Sequence, residues 1–181
     1  MSDPGDSSGT AGGSELEPDQ RRCISVDIVD DGGNWSAIER VELLIDQAAG
    51  VVAGAPELVV GTAEVSVALS SDANVRKLNA TYRGFDKPTN VLSFPPAAGM
   101  IVPGAPRFLG DIVLAAETVM AEAEARDMPP ADHLRHLVVH GLLHLLGFDH
   151  ETDDEARRME RLETTLLARL GVPDPHADAL D

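Results

Sequence analysis

One apolar helix interrupted by regularly spaced histidines constrains the fold of this chain more than any other segment. Residues 137–147 contain only Leu, Val and Gly apart from His140 and His144. A helix that is apolar around most of its circumference must be surrounded by other elements. Buried imidazoles need polar partners, and this segment offers no other polar side chain. We therefore expect the helix at the centre of the domain, with its histidines facing a ligand.

The spacing of these histidines is typical of a metal site. His140 and His144 are four residues apart and therefore project from the same face of a helix. Gly147 can end the helix with a positive φ, so the chain can turn back and deliver His150 as a third ligand. Three protein ligands with an open fourth position are typical of catalytic zinc sites. The sequence predicts one Zn2+ ion, although nickel and copper also favour imidazole.

Two residues beside the predicted ligands have roles that the sequence leaves open. His136 lies one helical turn before His140 and is interpreted as a residue that supports a ligand or caps the helix. Asp149 directly precedes His150. Its carboxylate either accepts a hydrogen bond from an imidazole N–H, which would fix the tautomer, or caps the turn.

The residue after the first predicted ligand argues against a peptidase. The spacing His-x-x-x-His-x-x-Gly-x-x-His is shared with the metzincin proteases, which carry Glu directly after the first histidine. In this chain that position is Gly141. Glycine has no side chain that could act as a general base on a zinc-activated water. A zinc peptidase or amidase is therefore the second hypothesis rather than the first.

The rest of the chain alternates between strand and helix periodicity. The order β-α-β-α-β-β-α-α-α predicts one α+β domain, in which a small mixed four-stranded sheet packs against about five helices with the metal-site helix central. Phe108 to Leu114 is more continuously apolar than the other strand segments and is predicted to be a central strand. Local signals for helix ends are Gly50 as the end of the first helix, Ser71 and Asp132 as caps, and Thr152 with Glu155 as a capping box.

Composition separates this domain from its two ends. Residues 1–20 hold five acids and neither Lys nor Arg, and we expect them to form a disordered acidic tail. Residues 21–171 are predicted to form the single domain. Residues 172–181 are predicted to be a flexible tail, and no chemical role is expected for His176 within it. The chain shows no signal peptide, no apolar run long enough to cross a membrane and one cysteine, which together predict a cytoplasmic location.

Three segments of the chain resemble one known family. They are LNATYRGFDKPTNVLSFP (78–95), LGDIVLA (109–115) and HGLLHLLGFDH (140–150). Together they are similar, in the same order, to hallmark segments of the YbeY family of bacterial endoribonucleases, the rRNA maturation factors. Phe148 stands where Tyr is common in that family, but neither residue is a metal ligand.

This resemblance implies a metal-dependent endoribonuclease specific for single-stranded RNA. The implied role is maturation of ribosomal RNA, especially the 3′ end of the small-subunit RNA, and ribosome quality control, with the ribosome or its small subunit as partner. It also implies that His140, His144 and His150 are the zinc ligands and that Arg83 is a functionally important arginine. A guanidinium fits a phosphate in bidentate fashion and could stabilise the charge of a phosphoryl transition state.

The net charge of −17 makes the position of the basic residues important. Arg76, Lys77, Arg83 and Lys87 fall within twelve residues, and a local cluster rather than net charge guides an anionic ligand. Lys87 and Arg76 are therefore candidates for contacts with the RNA backbone.

Several questions stay open at this point. Asp111 is a lone acid in an apolar strand, where it either supports a ligand histidine or satisfies backbone groups at a sheet edge. Asn90 and Ser93 either contact RNA or hold their own loop. The attacking group is either water or the ribose 2′-hydroxyl, and the oligomeric state is not determined. A third hypothesis is a non-catalytic ribosome-associated factor in which zinc only stabilises the fold.

Overall fold

Four strands and five helices follow one another in the predicted order. The computed structural model describes residues 22–97 and 104–177, so the predicted acidic tail at 1–20 lies outside the described residues. Within them, no helix combines the length and the apolar character needed to cross a bilayer. The elements are β1 (Cys23–Asp31), α1 (Val41–Ala53), β2 (Thr62–Ser70), α2 (Asp72–Arg83), β3 (Val91–Phe94), β4 (Arg107–Ala115), α3 (Ala116–Ala125), α4 (Pro130–Leu145) and α5 (Asp153–Arg169).

The sheet is mixed and has the strand order β1-β2-β4-β3. β1 pairs with β2 and β2 pairs with β4 in parallel, whereas β3 is antiparallel to β4. The continuously apolar strand β4 is internal, as predicted. The α+β class and the mixed four-stranded sheet are therefore confirmed.

The two faces of the sheet are covered by different helices. Ile112 and Leu114 of β4 belong to the main core, together with Leu142 of α4. Val113 of β4 belongs to a smaller cluster with Val75 of α2. Helix α4 also contacts α1, α3 and α5, so the metal-site helix is central as predicted. Since α2 and α4 lie on opposite faces, groups on both can meet only around the sheet edge formed by β3.

A bulge in β4 decides which of its side chains face the core. The pairing with β2 shifts between Glu64 and Ser66, and Gly110 there has a φ of 128°. A Cβ on Gly110 would collide with the carbonyl oxygen of Phe94. The extra residue lets Leu109 and Ile112 both enter the main core, while Asp111 between them is exposed.

Two helix ends differ from the expectations. Helix α1 continues through Gly50 to Ala53 and is followed by Gly54, whose N–H bonds to the carbonyl of Gly50. The burial of Val52 and Ala53 outweighs the cost of about 1 kcal/mol for an internal glycine. The prediction that the helix stops at Gly50 is therefore wrong.

Helix α4 begins earlier than predicted. Pro129 is its N-cap residue and Pro130 its first residue, because proline fits the first turn, where no N–H donor is required. Asp132 is not the cap; it lies in the first turn and forms an ion pair with Arg135 at 3.0 Å. The other two signals are confirmed: the Ser71 hydroxyl accepts a hydrogen bond from the Asn74 N–H, and Thr152 and Glu155 form a capping box.

The bulge predicts that Gly110→Ala destabilises the protein. We expect the free energy of unfolding to fall by about 2–4 kcal/mol, because an L residue at this φ is strained and its Cβ has no space. Gly50→Ala is the matched control, since this helical position is open, and it should raise the free energy of unfolding by about 0.5–1 kcal/mol. Urea unfolding followed by circular dichroism measures both. Equal effects of the two substitutions would contradict the assigned role of Gly110.

Candidate metal centre

Three histidines converge at the C-terminal end of α4. The Nε2 atoms of His140 and His144 are 3.0 Å apart, and one ring nitrogen from each of His140, His144 and His150 lies within 4.8 Å of the other two. A tetrahedral zinc ion with metal–nitrogen distances of about 2.0–2.1 Å separates its ligand nitrogens by roughly 3.3 Å. The three donors therefore fit one ion.

The turn after α4 brings His150 back to the helix. Gly147 has a φ of 93°, and the N–H of Phe148 bonds to the carbonyl of Leu143. Asp149 Oδ1 accepts a hydrogen bond from the backbone N–H of His150 at 2.8 Å. The same oxygen lies 3.6 Å from His150 Nδ1, which is too long for a hydrogen bond. Of the two roles considered for Asp149, the structure therefore supports capping of the turn.

A buried carboxylate orients the first histidine. Glu163 of α5 is only 2% exposed, and its Oε1 lies 2.5 Å from His140 Nδ1. A hydrogen bond at Nδ1 fixes the tautomer in which Nε2 is free to bind a metal. The sequence analysis missed Glu163. A signal for it exists, because Glu163 is an acid on the apolar stripe of α5, between Met159 and Leu166, which are both buried.

The charges of the site agree with metal binding. Burial by itself would raise the pKa of Glu163, but the imidazoles of His136 and His140 outweigh it and hold this pKa well below its ordinary range. Burial lowers the pKa of His144, and the nearby imidazoles of His140 and His150 lower it further. His144 is therefore neutral at pH 7, which is the form that binds a metal.

Arg83 lines the same pocket as the three histidines. It is the last residue of α2, which ends at Gly84 with a left-handed φ of 77°. The pocket has a volume of about 430 Å3, and its lining includes Arg83, Asn90, Ser93 and all three histidines. In the described part of the chain no carboxylate pairs with Arg83. Arg76, two turns earlier, is instead held by both oxygens of Asp86 at 2.7 and 2.8 Å.

Lys87 and Asp111 lie outside the pocket of the three histidines, whereas His136 lies beside His140, with 6.2 Å between the ring centres. Lys87 is exposed, does not line the pocket, and has its Nζ 6.0 Å from the centre of the Phe85 ring. Asp111 is also exposed and does not line the pocket. His136 is buried on α4, with its Nε2 3.6 Å from Glu163 Oε2, so it lies beside the carboxylate that supports His140.

Asn90 and Ser93 hold the pocket wall together. Asn90 Nδ2 donates to Glu122 at 2.9 Å, and the same carboxylate lies 2.7 Å from Nε2 of the fully buried His133. Ser93 Oγ donates to the carbonyl of Gly141 at 3.4 Å. Both side chains are therefore engaged with neighbouring elements.

Gly141 lacks a side chain for a reason that the sequence did not reveal. A Cβ at this position would lie 3.0 Å from Ile112 Cδ1 and 3.1 Å from Ser93 Oγ. Helix α4 thus crosses the sheet so closely that even a Cβ would require Ile112 and Ser93 to shift. The peptidase glutamate is absent from this position, and the packing would not accept it there.

Comparison with known proteins identifies the family. The family model of endoribonuclease YbeY matches residues 34–171, which is most of the chain. The chain belongs to the YbeY family. The endoribonuclease YbeY of Rhodopseudomonas palustris is 49% identical over 152 residues, which cover 83% of this chain and 80% of that protein. The endoribonuclease YbeY of Azorhizobium caulinodans is 48% identical over 155 residues, which cover 85% and 97%.

This membership confirms the family assignment made from the sequence and does not favour a peptidase or a non-catalytic factor. The segment matched by the YbeY family includes the three histidines, Arg83 and Glu163, whereas His176 lies beyond it. A solution structure of a Thermotoga maritima protein shares the fold with a TM-score of 0.51 and 24% identity, over 87% of this chain and 99% of that one.

The contact between Glu163 and His140 predicts that Glu163→Gln weakens metal binding. We expect the zinc dissociation constant to rise about 10–100-fold, because an amide supports the imidazole less strongly than a carboxylate. Competition with a chromophoric chelator measures this constant. Glu160→Gln is the matched control, because Glu160 is an exposed residue of the same helix. An unchanged constant in Glu163→Gln would contradict the role given to Glu163.

The burial of His133 predicts a pH-dependent contribution to stability. Burial lowers the pKa of His133, although Glu122 opposes this effect. As the pH falls, this imidazole therefore takes up a proton at a higher pH in the unfolded chain than in the folded protein. We therefore expect the free energy of unfolding of wild type to fall relative to that of His133→Gln below about pH 6.5. Urea unfolding of both metal-free proteins between about pH 7.5 and about pH 5.5 measures the difference. If the free energy of unfolding of wild type instead rose relative to that of His133→Gln at lower pH, the prediction would be wrong.

Proposed function

We propose that this protein is a zinc-dependent endoribonuclease that cleaves single-stranded RNA. We further propose that it acts in the maturation of the 3′ end of small-subunit ribosomal RNA and in ribosome quality control. The observation that carries the proposal is that Arg83 and three convergent histidines line one pocket, in a chain of the YbeY family.

The donor set supports zinc as the metal. His140, His144 and His150 would hold the ion, as three histidines do in other catalytic zinc sites. Glu163 keeps Nε2 of His140 available by occupying Nδ1. The chemistry that zinc supplies when bound is Lewis-acid polarisation of a phosphoryl oxygen and activation of water.

Arg83 is the group that handles the phosphate. Its guanidinium is exposed and unpaired within the described residues, so its N–H donors are free to bind two oxygens of a phosphodiester. From the lining of the pocket that it shares with the histidines, Arg83 can stabilise the negative charge that develops on the phosphoryl group. Lysine would supply the charge without the planar pair of donors.

The size and charge of the site agree with a single-stranded substrate. The pocket volume of about 430 Å3 lies in the range of about 300–1,000 Å3 that holds small-molecule ligands. A flexible strand can turn one nucleotide into such a pocket without the cost of unpairing a duplex. The net charge of −17 disfavours broad contacts with a polyanion, so we expect binding to depend on this local site. The ribosome as partner and the cytoplasm as location rest on the resemblance to rRNA maturation factors.

Replacement of Arg83 tests this function. We expect Arg83→Ala to reduce cleavage of a single-stranded RNA by about 100-fold or more while its zinc content stays that of wild type. Lys77→Ala is the matched control, because it removes the same charge from an exposed position of α2 that does not line the pocket. His144→Ala should lose cleavage together with the ion expected at the three-histidine centre.

Other outcomes would favour the alternatives. If Arg83→Ala cleaved RNA as fast as wild type, the role proposed for Arg83 would be wrong. Hydrolysis of casein that disappears in His144→Ala would support a peptidase. Product ends identify the attacking group, since a 2′,3′-cyclic phosphate indicates the ribose 2′-hydroxyl rather than water. In cells, Arg83→Ala should fail to restore small-subunit RNA with a mature 3′ end, whereas normal restoration would support a non-catalytic role.

A further inference from the structure

A second cluster of metal-ligating side chains lies on the far side of Glu163. Oε2 of Glu163 is 2.8 Å from His176 Nε2 and 3.6 Å from His136 Nε2. One donor atom from each of the three residues lies within 4.8 Å of the other two. Two imidazoles and one glutamate form a ligand set that is known from zinc enzymes, in which water takes the fourth position.

The two clusters share no ligand atom. Oε1 of Glu163 contacts Nδ1 of His140, whereas Oε2 faces His136 and His176. The ring of His140 separates the two groups, because its Nε2 faces His144. The second cluster is therefore distinct from the three-histidine centre.

The environment of His136 favours a ligand over a hydrogen-bonded network. His136 is only 8% exposed, and its Nδ1 has no hydrogen-bond partner within the described residues. Its Nε2 lies 3.6 Å from Glu163 Oε2, which is beyond hydrogen-bond distance. This separation is close to the roughly 3.3 Å between two ligands of one tetrahedral zinc ion. A metal ion between Nε2 and Oε2 would give His136 Nε2 a partner, with the ring proton on Nδ1.

An ion can reach this cluster from solvent. His136 and His176 line a pocket with a volume of about 690 Å3, together with Arg126, Pro129 and Pro175. Asn90 and His140 line both this pocket and the pocket that contains Arg83. The cluster is therefore open on one side, as a site with an exchangeable fourth ligand requires.

The segment after α5 positions His176. Val172 is only 4% exposed. Asp174 Oδ1 accepts hydrogen bonds from Thr164 Oγ1 and from the backbone N–H of His176, both at 2.9 Å. The first part of the predicted flexible tail thus contacts the domain. This contact places His176 beside Glu163, so its position in the tail gives no reason to expect that it has no role. Residues 178–181 lie outside the described residues.

We propose that His136, Glu163 and His176 form a second transition-metal site with a preference for zinc. The proposal goes beyond the endoribonuclease function and does not depend on it.

Metal stoichiometry of the full-length protein tests the second site. The metal-free protein is titrated with Zn2+ and, in parallel, with Co2+, whose visible absorption reports coordination by imidazole and carboxylate. We expect two ions per chain in wild type and one in His176→Ala. His150→Ala should retain the ion that His176→Ala loses, and the double variant should bind neither. Since His176 lies after the last helix, its replacement should leave the circular dichroism spectrum unchanged.

The outcomes separate this proposal from the proposed function. A wild-type protein that binds one ion would overturn the second site, and so would a His176→Ala variant that still binds two. If wild type binds two ions, loses one of them in His176→Ala and does not cleave RNA, the proposed function is wrong but the second site is supported.

Discussion

The buried charge of Glu163 is the interaction on which the arrangement of both histidine clusters depends. This carboxylate lies on the apolar stripe of α5, where an unpaired charge would be strongly destabilising. Imidazoles on α4 compensate it, with His140 at one oxygen and His136 near the other. The same contact therefore packs α5 on α4 and orients His140, the first of the proposed metal ligands. A hydrophobic replacement would keep the packing but lose the orientation.

The sequence was most informative where the chemistry is local. His140, His144 and His150 fall within one helix and the turn that follows it, so helical periodicity and one glycine suffice to bring them together. Glu163 lies on α5 and His176 in the segment after it, so the positions of both depend on how α5 packs on α4. Periodicity places Glu163 on an apolar face but does not say which side chains it meets. No local signal marks His176.

The fold was predictable in class and order, and less so in detail. The change between strand and helix periodicity along the chain predicts the strands and helices. Two helix ends, in contrast, depend on tertiary contacts and on proline. Burial of Val52 and Ala53 extends α1 past Gly50, and Pro130 starts α4 before Asp132. Arg83 illustrates a different limit. It lies on the opposite face of the sheet from α4, and only the resemblance to a family connected it with the histidines before the geometry did.

The close crossing of α4 over the sheet at Gly141 has a consequence for how the metal relates to folding. Ile112, Leu142 and their neighbours fix the helix through apolar contacts that involve no ion. The ligand nitrogens are thus preorganised by the core, and little conformational entropy remains to be lost on coordination. A chelator should remove the metal and leave the domain folded, unlike a zinc finger, in which binding and folding are one event. An ion bound by these histidines would then be an exchangeable reagent rather than a structural cross-link.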